Sequence, residues 1–537
     1  MKIGVRLRDF AEHFAAEVEA APRFYLIAFS VVLFGLTALR ALAKPFWYDE
    51  LFTYYMCRLP DLATTWSALK GGADLNPPLL YIATRATQSM FGAGPVATRL
   101  PAMLGFLTML VCLFVFVARR CGPACGFGAM LFAALSGAYP FAYEARSYGM
   151  VLGFCGLALV AWQSAADGRA RRLAVPGLFL SLACALLTHC YAVLILVPFA
   201  LGELVRLLQR RRGDWPVWMA VAAASGSVLS YFPLLANNLR IVQDNVTFRP
   251  TLRVLAESYG MLAAPLMAPL TAALILVALS RRQDSPASAP GPGNAGGFRA
   301  HEIAAALGLA AAPVFAFLIA SFVSKVFMTR YGVSAAIGFT ILFAWFVDRY
   351  PSNRRLAGGI VAPLFAAWFL SAFALWFVDT ARSHVAAASR SPSGQHAYEA
   401  VPELVQTDLP FVASNGLFFL EADHYATPAF VDRLFYLTDP KTAVRYTGTD
   451  VFDTGLVTLQ KWFPIRAHIE TYDAFVAAHQ RFLVFGEFDH PLGWLAKKLL
   501  DDGAELRFLG QYHGSYGDNL LLEVNLRPQE AGLAQRR

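Results

Sequence analysis

The 537-residue chain is short of charge: 15% of its residues are Asp, Glu, Lys or Arg, while 57% are hydrophobic. A soluble domain carries about a quarter charged residues, so a wholly water-soluble protein is excluded. The deficit is uneven. Residues 1–380 hold nearly all the long apolar runs, and residues 381–537 have the composition of an ordinary soluble domain. Cysteine is also scarce. Seven occur, Cys57, Cys112, Cys121, Cys125, Cys155, Cys184 and Cys190, all in the apolar part. Most sit inside apolar runs, where a thiol serves as a small filler. Cys121 and Cys125 have no second pair to complete a metal site, and residues 381–537 cannot depend on a disulfide. The chain contains no HExxH, no paired Cys motif and no carboxylate triad at ligand spacing, which excludes the zinc sites recognisable from sequence. It has no internal repeat, a feature of many transporters. The net charge of +8 falls in short clusters between apolar runs rather than on one basic surface. That argues against a nucleic-acid partner.

What is present in abundance is apolar length. A spanning helix needs about 20 mostly apolar residues. The pattern predicts about eleven transmembrane helices, near 24–43, 100–118, 124–142, 148–166, 174–189, 191–208, 216–236, 255–280, 302–323, 331–348 and 357–378. Ala41-Leu42-Ala43 resembles a signal cleavage site, but the apolar run before it is longer than a signal's core, and Glu17 and Glu19 precede it. A retained signal anchor is the better reading.

Arg119-Arg120, Arg169 with Arg171-Arg172, Arg210-Arg211-Arg212, Arg281-Arg282, and Arg349 with Arg354-Arg355 fall in alternate loops, in phase with Lys2, Arg6 and Arg8. By the positive-inside rule these segments are cytoplasmic. The N-terminus is then inside, and an odd helix count puts residues 381–537 outside. Two domains are expected: 1–380, transmembrane, and 381–537, soluble and periplasmic.

Segment 283–299 (QDSPASAPGPGNAGGFR) reads as a flexible linker. Pro78 to Phe91 reads as an amphipathic helix on the membrane surface, too short and polar to span. In the C-terminal part, Phe411–Ser414, Arg433–Leu437, Arg481–Gly486, Glu505–Gly510 and Leu520–Val524 read as strands. Leu417–Tyr425, Thr471–His479 and Gly493–Leu500 read as helices. The alternation predicts a small α/β sandwich. Glu421 and His424 within it read as a solvated helix face. Asn245-Val246-Thr247 is a glycosylation sequon without meaning in a bacterial protein, the origin that the Ala/Arg-rich composition suggests.

Acids and bases gather at the outer ends of the predicted helices: Asp49, Glu50, Asp61, Lys70, Asp74, Arg85 and Arg99 in the first outer loop, then Glu144 and Arg146, His189, Lys325 and Arg330. An ionisable group at a membrane boundary is costly and points to function. Arginines at helix ends hold phosphate bidentately, and a carboxylate accepts a proton from an attacking hydroxyl. Together they suit group transfer from a lipid phosphate. For several of these charges the plain alternative is interfacial snorkelling. Adjacent Asp49 and Glu50, directly after Trp47-Tyr48, are hard to explain as anchors.

Phe46-Trp47-Tyr48-Asp49-Glu50 resembles the Asp-Glu motif of GT-C membrane glycosyltransferases, in the bacterial branch related to protein O-mannosyltransferases and aminoarabinose transferases (glycosyltransferase family 39-like). Asn76-Pro77-Pro78-Leu79 resembles that branch's (H/N)PPL helix start. Arg99-Leu100-Pro101 resembles its RLP motif, Glu144-Ala145-Arg146-Ser147-Tyr148 its EARxY loop, and Arg330-Tyr331 its late RY motif. Thr188-His189-Cys190-Tyr191 is a weaker match to an HYY element. The motifs recur in order over about residues 24–350. Position 76 is Asn where many relatives have His.

The resemblance implies a GT-C fold and an inverting transfer from a polyprenyl-phosphate sugar donor to a lipid, polysaccharide or protein acceptor, at the outer face of a bacterial inner membrane. It implies Asp49 as general base, with Glu50 orienting it or the acceptor. Arg146, Arg330 and Lys325 would neutralise charge on the phosphate. Glu144, Tyr148, Asn76, Arg99, His189 and Tyr331 complete the candidate substrate-binding set. No cofactor is assigned, and a divalent cation held by Asp49 or Glu50 stays open as an alternative. The competing class is a multi-pass transporter or lipid flippase. Against it stand the absence of a repeat and the gathering of charge at one face.

Overall fold

The structure is a computed structural model that describes residues 2–243, 248–281, 297–349, 354–388, 407–487, 493–514 and 517–526. The sequon at Asn245 and most of the 283–299 segment lie outside the described residues. Two compact units are present. The first comprises Met1–Pro45, Asn76–Ala236 and Pro250–Trp376; the second comprises Phe46–Leu75, Asn237–Arg249 and Phe377–Arg537. The division passes through the long helix Arg354–Ala388 and assigns the Asp49-Glu50 segment to the C-terminal unit.

The first unit is a helical bundle of a multi-pass membrane protein. Among the described residues seven helices are long and apolar enough to cross a membrane, and the pair Ala300–Ala310 and Ala312–Ser324, bent by 50°, makes up to eight. The remaining predicted spans are shorter helices, Pro123–Leu135, Arg171–Leu186 and Ala335–Arg349. Each is flanked at one end by a short irregular or 3-10 turn, at Tyr139–Tyr143, Cys190–Ile195 and Thr329–Gly332. Those turns carry or adjoin the EARxY, His189 and Arg330-Tyr331 segments. Irregular backbone at these depths needs protein around it, and Tyr139, Phe141, Leu194, Ile195 and Gly332 are buried. The predicted surface helix is present as Leu79–Phe91, which buries Leu80, Tyr81, Thr84 and Gln88 along one side.

Helices Pro95–Cys121 and Tyr148–Ala166 pack with their backbones in contact. A Cβ on Gly153 would lie 2.5 Å from the Gly105 carbonyl oxygen, and one on Gly149 would lie 2.5 Å from that of Ala102. Small residues four apart are how membrane helices approach closely. The same helices reach both ends of the bundle. Arg99 and Arg120 are 21 residues apart on one of them, about 31 Å along an α-helix.

At the Arg120 end lies a buried ionic network. Arg120 donates to Glu302 (2.6 and 2.9 Å) and to Asp167 (3.0 Å). Gln163 donates to Glu302 at 3.0 Å, and Arg299 pairs with Asp167 at 2.7 Å. Beside it, Trp162 and Arg206 both donate to Glu203, while Arg206 and Arg171 meet Asp214. Burial works against the Asp167 charge, but the Arg120 hydrogen bond and the charges of Arg120, Arg299 and Arg169 prevail and lower its pKa. The basic clusters at 119–120, 169–172 and 206–214 therefore occupy one end.

The second unit contains a six-stranded sheet: β1 (Phe411–Ala413), β2 (Leu434–Thr438), β3 (His468–Thr471), β4 (Arg481–Gly486), β5 (Glu505–Gly514) and β6 (Gly517–Asn525). The order is β3-β2-β1-β4-β6-β5. β1 to β4 are parallel, and β6 runs antiparallel to both β4 and β5. Helices cover both faces, as a parallel sheet requires. Val412, Phe435, Phe482, Val484 and Val524 pack with Phe475, Leu495 and Leu499. Phe411 and Phe485 pack with Phe418, and Phe411 also meets Phe430. The predicted strands and helices are present within a few residues. The short β3 and the helices Pro440–Thr447 and Val451–Leu459 went unread.

Candidate functional site

In the second unit Asp49 and Glu50 lie in the first turn of helix Tyr48–Met56. Acidic residues suit the positive end of a helix macrodipole. Glu50 is fully buried, and its Oε2 accepts from the Trp47 amide at 3.4 Å, a reciprocal cap of the same turn. Asp49 is half-buried. Burial, then the charges of Asp49 and Asp74, raise the pKa of buried Tyr48, which stays a neutral phenol.

The helix Gly416–Tyr425 packs against this segment. Glu421 Oε1 accepts from the Tyr48 amide at 3.1 Å, and the Tyr425 hydroxyl accepts from the Phe46 amide at 2.6 Å. His424 Nδ1 lies 2.6 Å from the Tyr55 hydroxyl. Glu421 is 8% exposed, so the solvated-face reading is corrected. The signal against it was at hand: Phe418, Phe419 and Leu420 directly precede Glu421, and such a helix is apolar on several sides. Burial, then Arg466 and Arg58, push His424 down to about 4, so the ring is neutral at physiological pH.

In the first unit the remaining motif residues occupy the end opposite the Arg120 network. Arg99 is fully buried; its guanidinium donates to the carbonyls of Ala41, Lys44 (2.6 Å) and Pro45 (3.0 Å). These carbonyls end the first span and lead out of it, so Arg99 holds the chain that enters the Asp49 segment. Asn76 is buried and accepts from the Ser147 hydroxyl at 3.4 Å. This ties the surface-helix entry to the EARxY loop. Glu144 pairs with Lys44 at 3.2 Å, a partner sequence reasoning missed.

An aromatic cluster stands at the centre of this end. Tyr191 and Tyr331 are stacked, with centroids 4.1 Å apart. His189 lies 5.2 Å from Tyr148 and 5.9 Å from Tyr331. His189 Nδ1 accepts from the Tyr191 amide at 3.0 Å, which leaves Nε2 to carry a proton in the neutral ring. The Tyr191 hydroxyl reaches Ser324 Oγ at 2.6 Å and the Val326 carbonyl at 2.9 Å. Arg330 lies over the Tyr148 ring, 5.8 Å from its centroid. Tyr148, Val151, His189, Tyr191, Ile195 and Tyr331 line a small recess. The structure thus brings together Tyr148, His189, Arg330 and Tyr331, and adds Tyr191, for which the weak HYY match was the only signal. Arg146 follows Glu144 in the same loop and is half-buried. Lys325 does not join the cluster: it is exposed, ends the preceding helical turn with φ 61°, and folds its ammonium back to the Ser321 carbonyl at 2.8 Å.

Among the described residues no three His, Cys, Asp or Glu side chains gather to hold a metal ion. The chemistry available is that of a half-buried carboxylate in one unit. In the other it is an arginine-and-aromatic cluster able to bind an anion and the face of a ring.

No family model matches the chain, and no curated protein matches it in sequence. Solved structures do match, and they define a class: the chain has the GT-C fold. The particular structures are those of ArnT from Cupriavidus metallidurans. The one bound to undecaprenyl phosphate superposes with a TM-score of 0.52 at 12% identity, over 93% of this chain and 97% of that one. The apo state gives a TM-score of 0.52 at 12% identity, over 94% and 98%.

Proposed function

We propose that the chain is an inverting glycosyltransferase. In this reading it moves a sugar from a polyprenyl-phosphate donor to a lipid, polysaccharide or protein acceptor on the periplasmic face of a bacterial inner membrane. The observation that carries the reading is the cluster of Arg330, Tyr148, His189, Tyr191 and Tyr331 at one end of a GT-C bundle. The similar protein has been crystallised with undecaprenyl phosphate, a ligand of the proposed donor's class. The basic network at the other end supports a cytoplasmic location for that end and for the N-terminus.

The reaction is a single displacement. Asp49 accepts the proton of the acceptor hydroxyl, whose oxygen bonds to the anomeric carbon as the bond from that carbon to the phosphate oxygen breaks. The electron pair leaves with polyprenyl phosphate, which needs no general acid because its conjugate acid is strong. One essential carboxylate then suffices, unlike the acid/base pair of glycoside hydrolysis. Arg330 and Arg146 neutralise the charge that grows on the phosphate, an effect worth about 10²–10³ in rate for a well-placed donor. Tyr148, Tyr191, Tyr331 and His189 offer apolar and hydrogen-bonding faces to the sugar and phosphate. Arg99, Asn76 and Glu144 support the loops through the contacts described, and Lys325 has the weakest claim of the set. The test is reconstitution in proteoliposomes with polyprenyl-phosphate sugars and envelope-derived acceptors. Transfer by the native protein and its loss in Asp49→Asn are the expected results. Full activity of Asp49→Asn would refute the base assignment.

A further inference from the structure

Two elements of the second unit meet along one face of each. On helix Gly416–Tyr425, Glu421, His424 and Tyr425 lie three and four residues apart, hence on one side. On the opposing segment they engage Tyr48, Tyr55 and Phe46 respectively. Tyr48 and Tyr55, seven apart, share one side of helix Tyr48–Met56.

The contacts fall on the backbone that leads into Asp49. The first N–H groups of a helix have no partner within it, and leaving a buried one unpaired costs about 1–3 kcal/mol. Here three consecutive amides are each taken by a side chain: Phe46 by Tyr425, Trp47 by Glu50, and Tyr48 by Glu421. Two of the three acceptors come from the C-terminal helix, more than 370 residues away in sequence. Successive helical residues are turned by about 100°. The side gripped at Tyr48 and Tyr55 is therefore not the side of Asp49, which stays half-exposed while its backbone is held.

We infer that the helix Gly416–Tyr425 is the positioning element for Asp49, with Glu421 as its main contact and Tyr425 as the second. This rests on the assignment of Asp49 as the base. The C-terminal unit is then part of the catalytic apparatus rather than an accessory. Glu421 acts through the Tyr48 amide and touches no reacting atom. A displacement of about 1 Å at a reacting group is enough to cost roughly 10²-fold in rate.

The test has two arms on the full-length protein in detergent or proteoliposomes. Hydrogen exchange is read on peptides covering residues 46–56 in the native protein, Glu421→Ala and Glu421→Gln. Glu421→Ala should exchange faster there, by about tenfold or more for an amide that loses its buried acceptor. Glu421→Gln keeps an acceptor oxygen and should stay close to native. In transfer assays Glu421→Ala should lower kcat on the order of 10–100-fold with the donor KM unchanged, and Glu421→Gln should restore most of it. Unchanged exchange in Glu421→Ala overturns the inference, as does faster exchange with native kcat. If the native protein transfers no sugar, the glycosyltransferase reading fails, while the exchange arm still decides whether Glu421 holds this turn. If Glu421→Ala does not fold, Tyr425→Phe removes the acceptor of the Phe46 amide and keeps the ring; native exchange in that variant also overturns the inference.

Discussion

Replacing Glu302 by alanine breaks a buried ion-pair network in the membrane unit. Glu302 has no exposed surface and accepts from Arg120 Nε and Nη2, Gln163 Nε2 and the Arg299 amide, all at 2.6–3.0 Å. Its loss leaves Arg120, 6% exposed, with Asp167 alone. Removing one partner of a buried ion pair costs about 3–5 kcal/mol when the other charge stays desolvated, and the remaining Asp167 contact puts the loss toward the lower end of that range. In a chain of this size that corresponds to a fall in Tm on the order of 5 °C. The measurement is thermal unfolding of the detergent-purified protein by intrinsic fluorescence. The double variant Arg120→Met/Glu302→Leu removes both charges and should recover much of the loss. A Glu302→Ala protein that melts with the native one, or a double variant worse than the single, would refute the view of this network as a paired structural unit.

Other perturbations have equally definite outcomes. Gly153→Leu forces a side chain against the Gly105 backbone, where overpacking costs about 1–3 kcal/mol or more; the yield of monodisperse protein should fall sharply, while Gly35→Leu, which meets open space, should be tolerated. Arg330→Ala should lower transfer by about 10²–10³, and Arg330→Lys should recover only part of it, because an ammonium lacks the planar stacking and bidentate geometry. His424 has a folded pKa near 4, below its unfolded value of 6.5. The unfolded state therefore binds the proton first, so stability present above pH 6.5 is lost as pH falls toward 4. Asp453, raised by burial to about 6, works in the opposite direction. Measured as Tm at pH 7.5 and 5, His424→Gln should shrink the acid-induced loss relative to the native protein; an unchanged pH profile would contradict the buried neutral ring.

Much of the membrane unit was legible because apolar length and basic loops obey one-dimensional rules. Each predicted span coincides with a helix, and the Arg119-Arg120 and Arg171 clusters proved to share one end. The helix Lys2–Ala20 was unread because the buried residues among its described side chains are Ala11, Ala15 and Val18, small residues that give a weak hydrophobic signal. Pro123–Leu135 read as a full span because the turn Tyr139–Tyr143 beside it, with its Pro, Phe and Ala, continues the apolar run. In the site, local motifs indicated Tyr148, Arg330 and Tyr331 because each lies at a turn or helix end. Lys325 looked equivalent by position, but a left-handed residue turns it back on its own helix. Glu421 and Tyr425 could not be read as partners of Tyr48 and Phe46, since no one-dimensional pattern links segments so far apart. The same holds for Lys44 with Glu144.

The proposed chemistry rests on one displacement with a single carboxylate as base. The most direct test is the anomeric configuration of the transferred sugar, read by NMR coupling constants in product made from a donor of known configuration. Inversion is the expected result. Retention would require a second displacement through a covalent intermediate and would contradict the assignment of Asp49.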